Sequence, residues 1–376
     1  MPVTPCINEA LPEEVLAIIF EEHAKLEWRA PVTDALVCQQ WRRTIFRSPR
    51  VWAHIEIGDE FRSVPSEVRQ QWLRRSGTAP LHVWVSSHWG LEEILDRHHK
   101  RIESLTVRHA LARVLLEDRS FPILQSLTIY DRVFRNPELR SSTWDAMPAL
   151  RYLRVGYISV NNILPSTKFP PLRVLALSEV EGCNYIIQNS YHSLTTLMLE
   201  CVNMPQTSEI LEFPSLSFLS LFAVENLKPR MSVPSLIKYH EGLITTKESF
   251  PMPLPLLTEY GIYEHHMEPL LNPSRLHQCY PNLSRVSIRS VASSVKAFLH
   301  TLSGQPTSLP MLKILAVAIA FGDIDFSREE KDSMMDDVSV RNTAVSVKME
   351  LCFDGALRVP LYFGDVRAYI EYGRVN

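Results

Sequence analysis

Leucine and other apolar residues recur along the middle of the chain in the spacing L-x-x-L-x-L, usually with proline two positions before the first leucine. The middle leucines of four consecutive units, Leu153, Leu175, Leu197 and Leu219, are each 22 residues apart. Because alternate side chains of a β-strand face the same way, each L-x-L predicts a short strand with its leucines on one side. A period that holds over several units predicts a repeat fold rather than chance leucine richness.

The repeat contains regular and irregular units. The regular ones span residues 124–129, 150–155, 172–177, 194–199, 216–221, 283–288 and 312–317. Residues 236–241 place Glu241 where an inward leucine belongs, and residues 257–262 place Tyr260 at the middle position. Burying an unpaired carboxylate is costly, so we expect either a partner for Glu241 or a bend in its strand. Helical periodicity returns at residues 295–302 and 328–337, and the alternation of residues 345–351 predicts a last strand that caps the stack.

The first fifty residues follow a helical pattern instead. The run Leu11-Pro12-Glu13-Glu14 starts a helix, with proline in the first turn and carboxylates near the positive end of the dipole. We expect a second helix from about Pro31 and a third over residues 37–45, ended by Ser48-Pro49. Three short helices cannot bury this much apolar surface among themselves, so the surplus predicts an interface.

Residues 7–55 resemble an F-box, whose pattern is Leu-Pro, an aliphatic helix, Val-Cys-x-x-Trp-Arg and a closing Pro-x-x-Trp. The matching residues are Leu11, Pro12, Val15, Ile18, Val37, Cys38, Trp41, Arg42, Pro49 and Trp52. Residues 23–31 depart from the family's usual Leu-Asp-Pro-like turn and resemble the F-box-like variant of mushroom-type fungal proteins. In this family the motif docks on the Skp adaptor of cullin–RING ubiquitin ligases. The resemblance therefore implies adaptor contacts through Leu11, Pro12, Val15, Ile18, Val37, Cys38, Trp41 and Trp52.

The repeats resemble leucine-rich repeats, which implies an irregular solenoid with a parallel β-sheet on its concave face. The Asn or Cys that regular repeats carry three residues after the last leucine is replaced here by Ile158, Val180, Val202 and Val224. By alternation, we expect the concave face to carry Arg108, Tyr130, Tyr152, Arg154, Glu200, Phe218, Phe222, Glu259, Tyr263, Arg285 and Arg289. Because Tyr, Phe and Arg anchor protein interfaces, this stripe is the predicted target-binding surface, and a merely solvated face is the alternative.

Net charge, cysteine content and hydropathy limit the partners and the cellular compartment that we expect. A formal net charge of −3 gives no polyanion footprint, so neither nucleic acid nor an anionic membrane is an expected partner. Six cysteines without a CxxC pair argue against a zinc site and a disulfide framework. The N-terminus shows no signal-peptide pattern, and the longest apolar run, residues 314–321, is too short to span a bilayer. We expect a cytoplasmic or nuclear protein.

The sequence offers few candidates for catalysis. Cys38 lies beside Val37 and Trp41 with no spaced His and Asp to activate it, so a core or interface thiol is favoured. The pairs His98-His99 and His265-His266 point their side chains apart on a helix or strand, so neither presents two metal ligands together. No glycine-rich phosphate loop occurs. We expect no enzymatic activity, no metal site and no cofactor.

The predicted architecture is an α/β chain with four segments. These are an F-box-like helical domain (7–55), linker helices with the first solenoid strand (56–100), irregular leucine-rich repeats (101–325) and a C-terminal helix–strand cap (326–376). The resemblance implies a non-catalytic substrate-recognition subunit of an SCF-type cullin–RING ubiquitin ligase whose solenoid holds a target protein. The alternative is a repeat scaffold in which the F-box-like segment only caps the N-terminal end. Burial of the helix stripe within the same chain would favour that alternative.

Overall fold

The computed structural model describes residues 11–58, 64–86, 96–108, 116, 119–130, 142–156, 169–180, 183–204, 210–224, 227–242, 253–263, 272–319 and 326–353. The chain divides into two compact units, Met1–Pro170 and Pro171–Asn376. Each unit is an α/β structure with a parallel sheet. Within the described ranges, none of the helices combines the length and the apolar character needed to cross a bilayer.

The first unit begins with three α-helices and a 3₁₀ turn. They are α1 Glu13–Leu26, α2 Ala30–Asp34, α3 Gln39–Arg47 and the turn Pro49–Trp52. Pro12 is the N-cap of α1, and two glutamates occupy its first turn, as expected. Helix α3 starts later than expected, because Cys38 caps it by accepting a hydrogen bond from the Trp41 backbone N–H at 3.5 Å. Val37 therefore precedes the helix.

Five parallel strands follow, and each pairs with the next strand in sequence. They are β1 His54–Ile57, β2 Leu81–Val85, β3 Ile102–Arg108, β4 Ser126–Tyr130 and β5 Tyr152–Gly156. Helix α4, Ser66–Arg75, connects β1 to β2, and α5, Ser142–Asp145, precedes β5. Further along the predicted linker, residues 96–98 are helical, and a 3₁₀ turn, His99–Arg101, leads from them into β3. Strand β1 starts inside the range predicted for the helical domain.

The second unit contains ten strands among the described residues. They are β6 Val174–Ser178, β7 Thr196–Glu200, β8 Leu211–Glu212, β9 Phe218–Phe222, β10 Met231–Ser232, β11 Lys238–Gly242, β12 Glu259–Tyr263, β13 Arg285–Ser290, β14 Ile314–Ile319 and β15 Glu350–Phe353. Strands β8 and β10 pair with each other. The other eight form one parallel sheet in chain order. The helices are α6 Asn184–Ser190, α7 Pro273–Cys279, α8 Ala292–Gly304 and α9 Arg328–Ala344.

The predicted repeat register is present in both sheets. In the first unit Val83, Leu105, Leu127 and Leu153 pair across neighbouring strands. In the second unit the paired middle positions are Leu175, Leu197, Leu219, Tyr239, Tyr260, Val286 and Leu315. All these residues are buried, so the middle positions form the core as the spacing predicts. The two irregular units also form in-register strands.

Three successive repeats turn in the same way at the ends of their strands. Glu179, Cys201 and Ala223 each follow a strand directly and have left-handed backbone angles, with φ of 49, 49 and 51°. This conformation costs energy for a residue with a side chain and persists only where the surroundings impose it. The next residues, Val180, Val202 and Val224, are buried, which confirms the predicted apolar ladder at these three positions. Ile158 lies outside the described residues.

The last strand is shorter than predicted. Strand β15 begins at Glu350, and residues 345–349 are not part of it. Asn342 of α9 explains the difference, because its side chain accepts from the Met349 N–H at 2.8 Å and donates to the Met349 carbonyl at 3.0 Å. The backbone there is bonded to the helix instead of to a neighbouring strand. Residues 354–376 of the predicted cap lie outside the described residues.

Candidate docking surfaces

Helix α1 divides its apolar residues between two faces. Leu16, Phe20 and Ala24, spaced by four residues, are each 1% exposed and pack inside the first unit. On the other side, Val15 and Ile18 are 39% and 60% exposed. Full burial of such a side chain contributes about 1.5–3 kcal/mol, so the inner face holds the helix in place. The outer face leaves similar side chains in water.

The connector between α1 and α3 is anchored at two points. Trp28 is buried, and its ring centroid lies 5.4 Å from that of Trp72 in α4. Nδ1 of His23 lies 2.9 Å from the carboxylate of the buried Asp34, which joins the ends of α1 and α2. The connector is therefore held by one aromatic contact and one polar contact.

Exposed apolar side chains are concentrated in these helices. Of the seventeen large apolar residues that are exposed in the described ranges, eight lie between residues 15 and 46. A concentration of this kind is typical of an interaction surface, whereas single exposed apolar residues are normal. We define the apolar patch as Val15, Ile18, Ile19, Leu26, Val32, Leu36 and Val37.

The residues predicted to contact an adaptor differ in their accessibility. Pro12, Val15, Ile18 and Val37 are exposed, and Leu11, Cys38 and Trp41 are half-buried. Trp52 is only 1% exposed, and its indole N–H donates to the carbonyl of Ile45 at 2.9 Å. Contrary to the prediction, Trp52 belongs to the core and not to a contact surface, because its own chain already covers it.

Three side chains surround Trp52. The ring centroid of Trp72 lies 4.8 Å away in an edge-to-face arrangement, and that of Phe46 lies 5.9 Å away. The guanidinium of Arg75 lies 4.5 Å from the centroid of Trp52 and 4.3 Å from that of Phe46. Cation–π contacts of this kind add to the aromatic packing. The helical segment and α4 therefore share one core.

The second candidate surface is the sheet face opposite the leucine core of the second unit. The outer face, as we name it, carries the positions that alternate with the buried ones on β6, β7, β9 and β11–β15. One row across neighbouring strands runs through Val174, Thr196, Phe218, Lys238, Glu259, Arg285, Ile314 and Glu350. The side chains of Lys238 and Arg285 are each 43% exposed.

The predicted target-binding residues are not equally available. Arg108 is exposed, Tyr152 is 37% exposed, and Glu200, Phe218, Phe222, Glu259, Arg285 and Arg289 are half-buried. Arg154 of the first unit is only 9% exposed. Its predicted exposure is therefore wrong. The side chains of Tyr130 and Tyr263 lie outside the described part of the chain.

Glu259 is the centre of a charged group on the outer face. Its carboxylate lies 3.5 Å from Nζ of Lys238, 3.6 Å from Nε2 of His240 and 4.0 Å from Nε of Arg285. The interaction with His240 is the main reason that the pKa of Glu259 lies below its ordinary value, although burial opposes the shift. This carboxylate therefore stays ionised at neutral pH.

The imidazole of His240 lies over Gly261 of the neighbouring strand. It is 7% exposed, and its ring meets Phe218 edge-on with centroids 5.2 Å apart. A Cβ atom added to Gly261 would come within 2.7 Å of the imidazole, so the missing side chain of Gly261 makes the position of His240 possible. Nothing in the leucine periodicity marks this arrangement, since both residues occupy the variable positions of the repeat.

Glu241 has partners, which confirms one of the two expected alternatives. The carboxylate is 5% exposed and pairs with the ammonium of Lys228, which reaches in from a 3₁₀ turn, Lys228–Arg230. The hydroxyl of Tyr239 donates to it at 2.6 Å, and that of Tyr260 donates as well. Burial, helped by the charge of Glu241, raises the pKa of Tyr239 well above its ordinary value. The cluster is buried, so it holds the core rather than meeting a ligand.

The described residues include candidate metal ligands and two of the cysteines considered from the sequence. No group of three or more His, Cys, Asp or Glu side chains there is placed to hold a metal ion. Cys38 serves as a helix cap. Burial raises the pKa of Cys183 to about 12, so this thiol stays protonated and weakly reactive at neutral pH.

Comparison with known proteins adds no relative. No protein-family model matches the chain, and no curated protein matches it.

Proposed function

We propose that this chain is a non-catalytic substrate-recognition subunit of an SCF-type cullin–RING ubiquitin ligase. The observation that carries the proposal is the apolar patch, which lies on the helices whose sequence resembles an F-box. A helix that has buried Leu16 and Phe20 and still exposes Ile18 on its other side has the form of a docking element. In the proposal the Skp adaptor covers this patch.

The repeated strands supply the second half of the proposal. In-register strands with alternating side chains form an irregular leucine-rich-repeat solenoid, and its exposed positions bind a target protein. Ubiquitin transfer is then performed by the cullin–RING machinery, while this chain holds the target in position. Cytoplasm and nucleus are the compartments in which such a complex acts.

The test is co-expression with an Skp adaptor, followed by size-exclusion chromatography. Deleting the helical segment would remove Trp52 from the core of the first unit, so point variants are the better tool. Ile18→Glu and Leu36→Glu place a charge in the apolar patch, and we expect each to abolish the stoichiometric complex. Leu256→Glu, at a 54% exposed leucine of the second unit, is the matched control and should leave the complex intact. A complex that tolerates both patch variants would refute the assignment.

One observation favours a second function, a repeat scaffold whose helical segment is only a cap. The contacts of Trp28 and Trp52 with Trp72 tie the helices to their own unit, as a cap requires. A folded chain that forms no complex with any Skp adaptor of its organism would support this alternative.

A further inference from the structure

The charged group around Glu259 contains more cations than anions. Lys238 and Arg285 lie on its two sides in one row, and Glu259 is the single carboxylate between them. Arg289 occupies the same face of β13, four residues further on. Nε of Arg285 is 4.0 Å from Glu259, and the side chains of Arg285 and Lys238 are each 43% exposed. A further anion can therefore reach both cations from solvent.

The shape of this face suits an extended ligand. Between the row that contains Lys238 and the row that contains Arg289 lies a middle row of Ser220, His240, Gly261, Ser287 and Ala316. Its members are small, apart from His240, which is only 7% exposed and whose ring fills the space beside Gly261. The outer rows are four residues apart along each strand, or about 13 Å. We call the middle row, with the two rows that flank it, the trough. From β9 to β14 the trough is about 19 Å long, which fits roughly six residues of extended peptide.

We propose that this trough binds an extended, carboxylate-rich segment of the target protein, with acidic side chains paired to Arg285, Arg289 and Lys238. The proposal rests on the proposed function, since it names the class of target that the receptor holds. Arginine pairs well with carboxylates through its planar fork of donors. The ionised Glu259 would repel a doubly charged phosphate more than a singly charged carboxylate.

The probe is a fluorescein-labelled ten-residue peptide of alternating Glu and Ser with a central Phe, titrated against the full chain by fluorescence anisotropy. Two analogues carry Gln or phosphoserine in place of each Glu. We expect the Glu peptide to bind at least ten-fold more tightly than the Gln peptide, with affinity falling as salt is raised. Equal binding of the Gln peptide, binding of the phosphoserine peptide alone, or no binding at millimolar concentration would each overturn the proposal.

Substitutions in the trough test whether the peptide binds there. The double variant Arg285→Gln/Arg289→Gln should lose at least ten-fold in affinity, while Arg328→Gln, at an exposed arginine on α9, should behave as the native chain. Glu259→Gln removes the competing carboxylate and should tighten binding several-fold. A gain in affinity cannot result from misfolding, so an unchanged or weaker affinity in Glu259→Gln would contradict the proposal.

The experiments distinguish a failure of the acidic-ligand proposal from a failure of the proposed ligase function. Variants of β13 should leave the adaptor complex intact, because they lie in the second unit. Ile18→Glu should lose the adaptor and keep the native affinity for the Glu peptide. If the Glu peptide binds and no adaptor complex forms, the acidic-ligand proposal stands and the ligase proposal fails. If the adaptor complex forms and the peptide does not bind, the ligase proposal stands and the acidic-ligand proposal fails.

Discussion

The indole rings of Trp52 and Trp72 meet edge to face, with their centroids 4.8 Å apart. Trp52 ends the helical segment, and Trp72 belongs to α4, which leads into the sheet. Trp28 lies on the other side of Trp72 at 5.4 Å. The three tryptophans make the helices and the first sheet depend on one another. The helical segment is therefore part of the first unit's core, even though its outer side exposes the apolar patch.

Removal of Trp52 tests this dependence. Trp52→Ala should lower the free energy of unfolding of the first unit by about 3–5 kcal/mol, because it leaves a cavity among packed rings. Phe46→Ala, at a residue that is 47% exposed, should cost much less. All seven tryptophans belong to the first unit, so urea unfolding followed by tryptophan fluorescence reports that unit alone. Equal losses for the two variants would show that Trp52 is not the centre of the core.

The two faces of α1 predict different effects on stability when a side chain is shortened to alanine. Leu16→Ala should destabilise the first unit by about 2–5 kcal/mol, whereas Ile18→Ala should stay within about 0.5 kcal/mol of the native chain. If the adaptor covers the patch, Ile18→Ala should still weaken binding by more than about 1 kcal/mol, as interface hot spots do. Calorimetric titration of the adaptor, alongside urea unfolding, measures both quantities. A stability loss in Ile18→Ala equal to that in Leu16→Ala would contradict the two-faced helix.

The strands were predictable because their signal is local and repeated. Leu153, Leu175, Leu197 and Leu219 keep one spacing, and each strand repeats the alternation that places them on one side. The structure adds that the irregular units join the same register, with Tyr239 and Tyr260 in the middle positions. Periodicity predicts which side of a strand is buried, but it does not predict which side chains meet.

Other features of the structure do not follow from the local sequence pattern. Trp52 matches a family pattern, but its burial depends on Trp72, twenty positions along the chain, and on Arg75 above its ring. Arg154 alternates with leucines as an exposed residue should, yet it is only 9% exposed. Lys228 pairs with Glu241 from a turn that carries no repeat signal. For Trp52 and for Glu241 the deciding contact joins residues that are distant in the sequence, which a local pattern does not show.

The ion pair of Lys228 and Glu241 predicts that a second substitution restores stability lost through the first. Lys228→Met alone should destabilise the second unit by about 3–5 kcal/mol, because it leaves a buried carboxylate without its counter-ion. Lys228→Met/Glu241→Gln should recover much of that loss, since the neutral amide needs no counter-ion: its oxygen can accept from one of the two tyrosine hydroxyls, and its NH2 can donate to the oxygen of the other. Hydrogen exchange with mass spectrometry resolves the second unit from the first. A double variant no more stable than Lys228→Met would show that the charge of Glu241 is not what makes the single variant costly.

The buried phenol of Tyr239 predicts a loss of stability at high pH. Its pKa is raised in the folded chain, so the folded state holds a proton that the unfolded state releases above about pH 10. Its contribution is complete below the unfolded pKa and is lost as pH rises towards the folded pKa. The free energy of unfolding of the second unit should therefore fall above pH 10, by up to about 1.4 kcal/mol per pH unit for this one group. The Tyr239→Phe variant should have a lower free energy of unfolding at pH 8, and its free energy of unfolding should fall less steeply with pH above pH 10. Curves that stay parallel from pH 8 to 11, measured by urea unfolding with circular dichroism, would rule out Tyr239 as the group responsible.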